Sequence, residues 1–318
     1  MNNKILFKDI YNEIQKAHYI LLVSHKNPDA DTISCVLSLS NYFYENKIKH
    51  KVFNLSKKIP RKLNFLKRFD KISQEIPKLY DLIIYLDCAD KYRVGIDFDL
   101  HVKSISIDHH QSNNHFADIN IVDDRKGSTA ELLYSFFEIN NIVISKYTAE
   151  CLYVGIYDDS IAFTIPKTNE ETFRVVSVLM KSKIDITYIA TQLLQRESLA
   201  RFRVIPKIMN TLDLYNEGKL ATVHLKENWI EETGVELNEC DDIVDMVLKI
   251  GIVKIVAYFR IIDGNVRVSL RSKENIDVAV IANHFNGGGH TNAAGLSLDL
   301  CSIEEAKKKV ITIILNYT

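Results

Sequence analysis

The 318-residue sequence has few cysteines and no pairing pattern among them. The five cysteines stand singly, in an odd number and without a C-x-x-C spacing. This usage indicates a reducing compartment and a chain that folds without disulfides, so we interpret the cysteines as core thiols.

A long apolar segment is also missing. The N-terminal stretch MNNKILFKDIYNEIQK has no apolar segment of the kind found in a signal peptide. The most apolar later run is interrupted by Lys249, Lys254 and Arg260. Because a membrane span needs an almost uncharged run of about 20 residues, we expect a cytoplasmic protein with no membrane partner.

Neither sign of charge predominates over the whole chain. Forty Lys and Arg residues stand against 41 Asp and Glu residues, for a net charge of -1. Nothing overall favours a long polyanion, so a small or short substrate is easier to accommodate. The segment 47–71 is an exception, with ten basic residues and one acidic residue. We interpret it as a solvated face, with a nucleic-acid-steering surface as the alternative.

Short apolar runs alternate with helical patterns through the first half of the chain. HYILLVSH, DLIIYLD and SISIDHH are typical of buried strands, and KHKVFNL predicts a further strand. DTISCVLSLSNYFYENK, GSTAELLYSFFEIN and TAECLYVGIY have helical spacing, the second behind the capping-box pair Ser128 and Glu131. This alternation predicts an α/β fold with a mainly parallel sheet and flanking helices.

The second half differs in character. Helical patterns fill about 169–216, with Gly218 as the expected stop, and we place the domain boundary in this connection. KLATVHL predicts a strand, and IVKIVAYFRIIDGNVRVSLRSK predicts a hairpin around Asp263-Gly264. With helices at DVAVIANHF and IEEAKKKVITIILN, the remainder forms a smaller C-terminal α/β domain. Trp229 is interpreted as a packing residue, with base stacking as the alternative.

Carboxylates and imidazoles cluster where the predicted elements end. These residues are His25, Asp29, Asp31, Asp87, Asp108, His109, His110, Asp158 and Asp159. Taken singly, each has an ordinary explanation as a helix cap, a turn residue or a surface histidine. Taken together, they fall on one rim of a parallel sheet, where ligands gather and where they would repel one another without cations. Such ligands suit Mn²⁺ and related divalent ions, and a pair of ions that share a carboxylate can activate water and neutralise a phosphate.

Seven blocks of the sequence resemble the DHH family of phosphoesterases with its DHH-associated C-terminal domain. They are HKNPDAD, LDCADKYRVG, SISIDHHQSNNHFADINIVDD, STAELLY, GIYDDSIAF, SLRSKENIDVAVIA and GGGHTNAAG, in family order over nearly the whole chain. The length resembles the short bacterial NrnA-type subgroup, which degrades nano-RNA and dephosphorylates 3'-phosphoadenosine 5'-phosphate. The resemblance implies a DHH catalytic domain over residues 1–185, a helical linker over 186–217 and a substrate-binding domain over 218–318.

The resemblance also implies two divalent metal ions, with Mn²⁺ as the expected metal. His25 and Asp29 would hold one ion and Asp31, His109 and Asp159 the other, while Asp87 would bridge them. Asp108 would orient a histidine, and His110 would stabilise charge at the scissile phosphate or protonate the leaving oxygen. In the C-terminal domain, a phosphate would be bound by Arg271, Ser272, Gly288, Gly289 and His290.

The sequence departs from the family pattern at two places. Ala30 stands where glycine is usual, and the segment 158–161 stands where T-D-T-G is common. The alignment of GIYDDSIAF gives the metal position to Asp159 rather than Asp158. Ile161, in place of glycine, adds bulk near the site and is expected to narrow the substrate range.

Our hypothesis is a phosphoesterase that hydrolyses short RNA or DNA oligonucleotides, including pApA, to mononucleotides and converts 3'-phosphoadenosine 5'-phosphate to AMP. One alternative is a family II inorganic pyrophosphatase, because HKNPDAD also resembles that group's opening motif. Another is a catalytically weak nucleotide-binding regulatory protein. A RecJ-type exonuclease is disfavoured, because the chain has no room for extra nucleic-acid domains. The preferred substrate, the direction of cleavage and a homodimer stay open.

Overall fold

Alternating β-branched runs and amphipathic helices build the N-terminal part as a layered α/β structure. The computed structural model describes residues 3–99, 101–262, 264–299 and 301–317. The chain divides into two compact units, Met1–Arg196 and Glu197–Thr318.

Within the residues that the structure describes, the first unit has six strands and six helices. Its strands are β1 (Ile20–Val23), β2 (His50–Phe53), β3 (Ile72–Ser73), β4 (Leu82–Leu86), β5 (Lys103–Asp108) and β6 (Ile119–Val122). Its helices are α1 (Asn3–Lys16), α2 (Ala30–Glu45), α3 (Thr129–Ile139), α4 (Lys146–Asp159), α5 (Glu170–Met180) and α6 (Ile186–Leu194). Short 3₁₀ turns occupy Arg61–Leu63, Phe69–Lys71 and Lys91–Val94.

All strands of this sheet run parallel, in the order β3-β2-β1-β4-β5-β6. The direction of strand succession reverses between β1 and β4, and in such sheets ligands bind beyond the carboxyl ends at this reversal. The helices pack on one face, where Ile33, Val36 and Leu37 of α2 join the main core. The opposite face is covered by loop side chains such as Phe98 and Phe116. The predicted mainly parallel sheet with flanking helices is confirmed.

The second unit is a smaller α/β structure with helices on both faces of a mixed sheet. Its strands are β7 (Asp213–Tyr215), β8 (Leu220–Leu225), β9 (Ile255–Ile262), β10 (Asn265–Ser272), β11 (Gly288–His290) and β12 (Ala293–Leu298), in the order β11-β12-β10-β9-β8-β7. Its helices are α7 (Leu199–Met209), α8 (Glu227–Thr233), α9 (Ile243–Leu248), α10 (Val278–Asn283) and α11 (Ile303–Tyr317), with a 3₁₀ turn at Leu237–Cys240. The core under α10 and α11 lies on one face, and the core under α7 and α9 lies on the other.

The helical segment before the second sheet is shorter than its sequence pattern predicts. Its final helix, α7, ends at Met209, and Asp213–Tyr215 instead pairs antiparallel with β8. The expectation of helix up to residue 216 was therefore wrong, and Gly218, at φ +84°, turns the chain between β7 and β8. Helix α6 belongs to the first unit and α7 to the second.

The hairpin forms, with Ile262 opposite Asn265, although Asp263 lies outside the described residues. All five cysteines are free, and Cys301 is half-buried while the other four are buried. Within the described ranges, no helix combines the length and apolarity needed to span a bilayer.

Candidate metal centre

The carboxyl ends of β1, β4 and β5 bring the predicted ligands to one place. His25 follows β1, Asp87 follows β4 directly and His109 follows β5 directly, and these three strands are neighbours in the sheet. Asp87 has a left-handed backbone at φ +57°, which few residues other than Gly, Asn and Asp adopt without strain. The turn at the end of β4 is thus one that an aspartate tolerates.

Three groups of ligand atoms meet around Asp87. The groups are His25 with Asp29 and Asp87, Asp31 with His109 and Asp159, and Asp87 with His109 and His110, and within each group the ligand atoms lie within 4.8 Å of one another. His25 Nε2 is 3.9 Å from Asp87 Oδ2, and His109 Nε2 is 3.8 Å from Asp87 Oδ1. These separations are too long for hydrogen bonds, whereas two ligands of one small divalent ion lie roughly 3 to 4 Å apart.

Helix termini hold the two carboxylates that follow His25. Asp29 caps α2, because its Oδ1 accepts from Thr32 N at 2.9 Å, while its Oδ2 lies 3.9 Å from His25 Nε2. Asp31 accepts from the first backbone N–H groups of α3, those of Thr129 at 2.7 Å and Ala130 at 3.0 Å. A helix N-terminus favours a carboxylate, so α3 fixes the position of Asp31.

The capping-box prediction for α3 is half correct. Ser128 Oγ accepts from Glu131 N at 3.1 Å, as an N-cap should. The Glu131 carboxylate does not return to the Ser128 backbone. It accepts from Lys126 Nζ at 2.9 Å and Thr172 Oγ1 at 3.0 Å, because burial beside these donors offers it stronger partners.

Gly155 of α4 lets this helix approach Asp31 closely. A Cβ at this position would lie 2.6 Å from Asp31 Oδ1 and 2.7 Å from Ala130 Cβ. This packing role of Gly155 was not predicted from the sequence. Its signal is weak, because a glycine inside an apolar helix does not reveal what the helix contacts.

Two threonine hydroxyls hold Asp87, and sequence reasoning missed both. Thr32 Oγ1 donates to Asp87 Oδ2 at 2.5 Å, and Thr129 Oγ1 donates to Asp87 Oδ1 at 2.8 Å. Thr32 Oγ1 also lies 2.8 Å from Nε2 of His25, whose Nδ1 contacts the Lys26 carbonyl at 2.9 Å. A carbonyl oxygen can only accept, so Nδ1 is the donor to Lys26, and Nε2 is the ring nitrogen that faces the cluster, as in a histidine that binds a metal.

The electrostatics of the cluster fit divalent cations. Among the described residues, no Lys or Arg makes an ion pair with Asp29, Asp31, Asp87 or Asp159. Burial, followed by repulsion from Asp87 and Asp159, raises the pKa of Asp31 well above its usual value. Burial, followed by repulsion from Asp87 and Asp29, raises the pKa of Asp159 to about 7. Buried like charges of this kind are stabilised by bound cations, and carboxylate and imidazole donors suit Mn²⁺, Mg²⁺ or a related ion.

The paired histidines have different partners. His109 Nδ1 lies 3.3 Å from the Lys126 carbonyl, and His109 Nε2 lies 3.2 Å from Asp159 Oδ2. His110 Nδ1 contacts Asp108 Oδ1 at 2.7 Å, and this hydrogen bond raises the pKa of His110. Asp108 therefore orients His110 and not His109. Burial opposes ionisation of Asp108, but hydrogen bonds from His110 and from the unpredicted Asn113 lower its pKa.

Asp159 and Asp158 point to different partners. Asp159 joins Asp31 and His109, whereas Asp158 pairs with Lys62 Nζ at 3.0 Å. The basic segment 47–71 thus reaches the residue next to the cluster. Ile161 is 68% exposed with φ +47°, so its side chain lies at the surface just beyond α4.

Arg271 and His290 lie on one face of the second sheet. Both stand opposite Ala293 of the strand between them, Arg271 on β10 and His290 on β11. Directly opposed residues in antiparallel strands share a face, and the small side chain of Ala293 leaves the space between them open. Arg271 Nε pairs with Asp245 at 3.2 Å, and His290 is exposed.

The other predicted phosphate-binding residues divide into buried and open positions. Ser272 is 6% exposed, and its hydroxyl donates to the Ile276 carbonyl at 2.6 Å. A Cβ at Gly289, where φ is +149°, would lie 2.4 Å from the Ala293 carbonyl oxygen, so packing against β12 already requires this glycine. Gly288 faces open space.

Carboxylates and imidazoles gathered at the carboxyl edge of a parallel sheet are the arrangement expected of a metal-dependent phosphoesterase. Residues 19–156 match the N-terminal domain of the DHH family, and residues 218–316 match the DHHA1 domain. The chain belongs to the DHH family of phosphoesterases, whose members depend on divalent metal ions.

Similar proteins extend over nearly the whole chain. A bifunctional oligoribonuclease and PAP phosphatase NrnA of Thermus thermophilus is 28% identical over 295 residues, which cover 92% of this chain and 88% of that protein. The NrnA of Bacillus subtilis is 26% identical, with 88% and 89% covered. The crystal structure of an exopolyphosphatase-related protein from Bacteroides fragilis superposes with a TM-score of 0.90 at 24% identity, covering 99% of this chain and 96% of that one. That structure shows a common fold.

Proposed function

We propose that this protein hydrolyses short oligoribonucleotides, including pApA, to mononucleotides and dephosphorylates 3'-phosphoadenosine 5'-phosphate to AMP. The observation that carries the proposal is the convergence of ligand groups on Asp87, with Asp29, Asp31 and Asp159 lacking any Lys or Arg ion pair in the described part of the chain. The two NrnA relatives are named for both activities and match this chain over most of its length.

In this proposal, His25 and Asp29 hold one divalent ion, Asp31, His109 and Asp159 hold a second, and Asp87 contributes to both. Mn²⁺ is the proposed metal. Bound ions would supply an activated water and charge compensation at the scissile phosphate. The residues of the chain supply the rest of the chemistry.

His110 is the proposed proton donor to the leaving oxygen. Its Nδ1 is engaged by Asp108 at 2.7 Å, so its Nε2–H is left to face a substrate. Arg271 and His290 would bind a phosphate other than the one that is cleaved, with Gly288 leaving room for it. Because this second phosphate fixes one end of the substrate, short chains and the bisphosphate are favoured.

A substrate panel tests the proposal. Purified protein with Mn²⁺ is expected to release mononucleotides from two- to five-nucleotide RNA and phosphate from the bisphosphate, and to cleave pApA faster than pyrophosphate. Asp87→Asn is expected to lose both metal retention and turnover. Faster cleavage of pyrophosphate would favour the pyrophosphatase alternative, and nucleotide binding without metal or turnover would favour the regulatory one.

We further propose a cytoplasmic location, which the five free cysteines support. The homodimer that the sequence leaves open is tested by the molar mass in solution.

A further inference from the structure

A cavity of about 450 Å³ lies in the second unit, at the edge of the sheet formed by β7 and β8. Its lining includes three lysines, Lys207, Lys226 and Lys307, and two nitrogen-containing rings, His224 and Trp229. Sites for small molecules have volumes of this order. Strand β11, which carries His290, is at the opposite edge of the same sheet, so the cavity is separate from the proposed phosphate-binding residues.

His224 forms part of the wall of this cavity. The residue is 8% exposed, and its Nδ1 is buried with no hydrogen-bond partner among the described residues. Its backbone N–H donates to Thr211 Oγ1 at 2.9 Å, so the strand itself is well held. Because Nδ1 is buried, a molecule in the cavity would contact the exposed part of the imidazole ring and not this nitrogen.

Aromatic and cationic groups surround the imidazole. Trp229 lies nearly parallel to His224, at 15° with 6.1 Å between ring centroids. Lys226 Nζ and Lys207 Nζ lie 5.3 Å and 5.9 Å from the Trp229 ring centroid. Lys226 is exposed and has no carboxylate within ion-pair distance in the described ranges, so its charge is available to a ligand.

The lining carries three lysines against two carboxylates, a net charge of +1 that favours an anion. Lys307 is buried and pairs with both carboxylates, with Asp213 at 3.3 Å and with Glu304 at 4.0 Å. Lys207 pairs with Glu232, which does not line the cavity. Burial, followed by the positive charges of Lys307 and Lys226, lowers the pKa of His224, as expected where the potential is positive.

We propose that this cavity is a second ligand site that binds a phosphate monoester, with the phosphate held by Lys226 and Lys207 and the organic group beside Trp229 and His224. A dianionic phosphate matches two lysine ammonium groups. Naming a nucleoside monophosphate as the ligand rests on the proposed function, since that reaction releases one. Free inorganic phosphate carries the same charged group and is the other ligand that could occupy the site.

Trp229 is the only tryptophan of the chain, so its fluorescence reports on this site directly. We would titrate the full-length protein, in EDTA and without metal, with AMP, inorganic phosphate and adenosine. AMP is expected to give a saturable change and adenosine none. Binding of phosphate as tight as that of AMP would identify free phosphate as the source, and at least about tenfold weaker binding would identify the nucleotide.

Lys226→Met removes the charge and keeps most of the side chain. It is expected to weaken AMP binding by at least about tenfold. The matched control Lys249→Met, at an exposed position outside the cavity, should bind as the wild type does. Asp87→Asn should give the wild-type fluorescence response, because the signal does not come from the metal centre.

Three results would overturn the site: no response to AMP or phosphate, an equal response to adenosine, or unchanged binding in Lys226→Met. Thermal unfolding of each variant verifies that it is folded. If AMP binding measured by fluorescence depends on Lys226 but the protein has no turnover, the proposed function is refuted and the second ligand site is supported. If the protein turns over substrate but shows no fluorescence response, the second ligand site is refuted and the proposed function is supported.

Discussion

The two hydroxyls on Asp87 give the most direct test of whether the cluster is built for metal. Thr129 Oγ1 donates to Asp87 Oδ1 at 2.8 Å, and both residues are buried. Thr129→Val replaces this hydroxyl with a methyl group of similar size. The substitution keeps the backbone N–H of residue 129, which donates a hydrogen bond to Asp31. The change is therefore confined to the orientation and charge compensation of one carboxylate oxygen.

The size of the effect follows from the kind of bond that is lost. A hydrogen bond to a charged group contributes about 1.5–3 kcal/mol, and about 1.4 kcal/mol corresponds to a tenfold change in affinity. If the hydroxyl orients Asp87 for metal, binding should weaken by about 10- to 100-fold, the usual range for residues that hydrogen-bond metal ligands.

Isothermal titration of Mn²⁺ into metal-free protein measures this affinity, and Thr172→Val is the matched control. Thr172 Oγ1 donates to the buried Glu131 carboxylate at 3.0 Å, away from the metal cluster. Both variants should unfold at lower temperature, but only Thr129→Val should bind Mn²⁺ more weakly. Wild-type Mn²⁺ affinity in a folded Thr129→Val protein would refute the inference that the hydroxyl supports metal binding.

Three further predictions concern packing, protonation and substrate binding. Gly155→Ala should lower the free energy of unfolding by about 1–3 kcal/mol and weaken Mn²⁺ binding, because the new Cβ would collide with a buried carboxylate at 2.6 Å. Gly251→Ala, with open space at its Cβ, should do neither, and equal thermal shifts in the two variants would contradict the packing role. Because the pKa of Asp159 is raised to about 7 from an ordinary value of 3.8, the folded metal-free protein keeps a proton that the unfolded chain loses between these values. Its melting temperature in EDTA should therefore fall as the pH rises from 4 to 7. Asp159→Asn should reduce this slope, although Asp31, whose pKa is also raised, contributes to it; an unchanged slope would exclude a contribution from Asp159. Steady-state kinetics on pApA should show that Arg271→Ala mainly raises KM and His110→Ala mainly lowers kcat, and the reverse pattern would mean that the two roles are misassigned.

The parts of the fold that the sequence predicts are those with a strong local pattern. Strands β1 and β4 are continuous apolar runs, which are typical of buried parallel strands. Strand β5 instead alternates serine with isoleucine, a period of two that also indicates a strand. Strand β3 has two residues and β11 begins with two glycines, so neither has a period to detect. Ile208, Leu212 and Tyr215 continue the helical spacing of α7, which explains the helix predicted there. Pairing with β8 overrides that spacing, because an edge strand gains its hydrogen bonds from a neighbour that the local sequence does not contain.

In the candidate site too, some residues can be predicted from the sequence and others cannot. The predicted ligands are visible in the sequence because parallel strands end at one edge, so residues far apart in the chain are brought together by topology alone. The groups that hold those ligands are not visible. Thr129 bonds a carboxylate 42 residues away in the chain, and the Gly155 helix contacts a residue that precedes it by more than a hundred positions. The periodicity of the local sequence does not reveal contacts between residues so far apart in the chain.

Asp29 shows why the choice between a structural and a catalytic interpretation is misplaced for such a residue. A carboxylate has two oxygens, and here Oδ1 caps α2 through Thr32 N while Oδ2 faces His25 Nε2. The cap fixes the rotamer, so the second oxygen is aimed before any ion binds, and less conformational entropy is lost on binding. Asp31 follows the same logic through the N-terminus of α3, and Asp87 through its two threonines. The bonds that stabilise the elements are therefore the bonds that orient the candidate ligands.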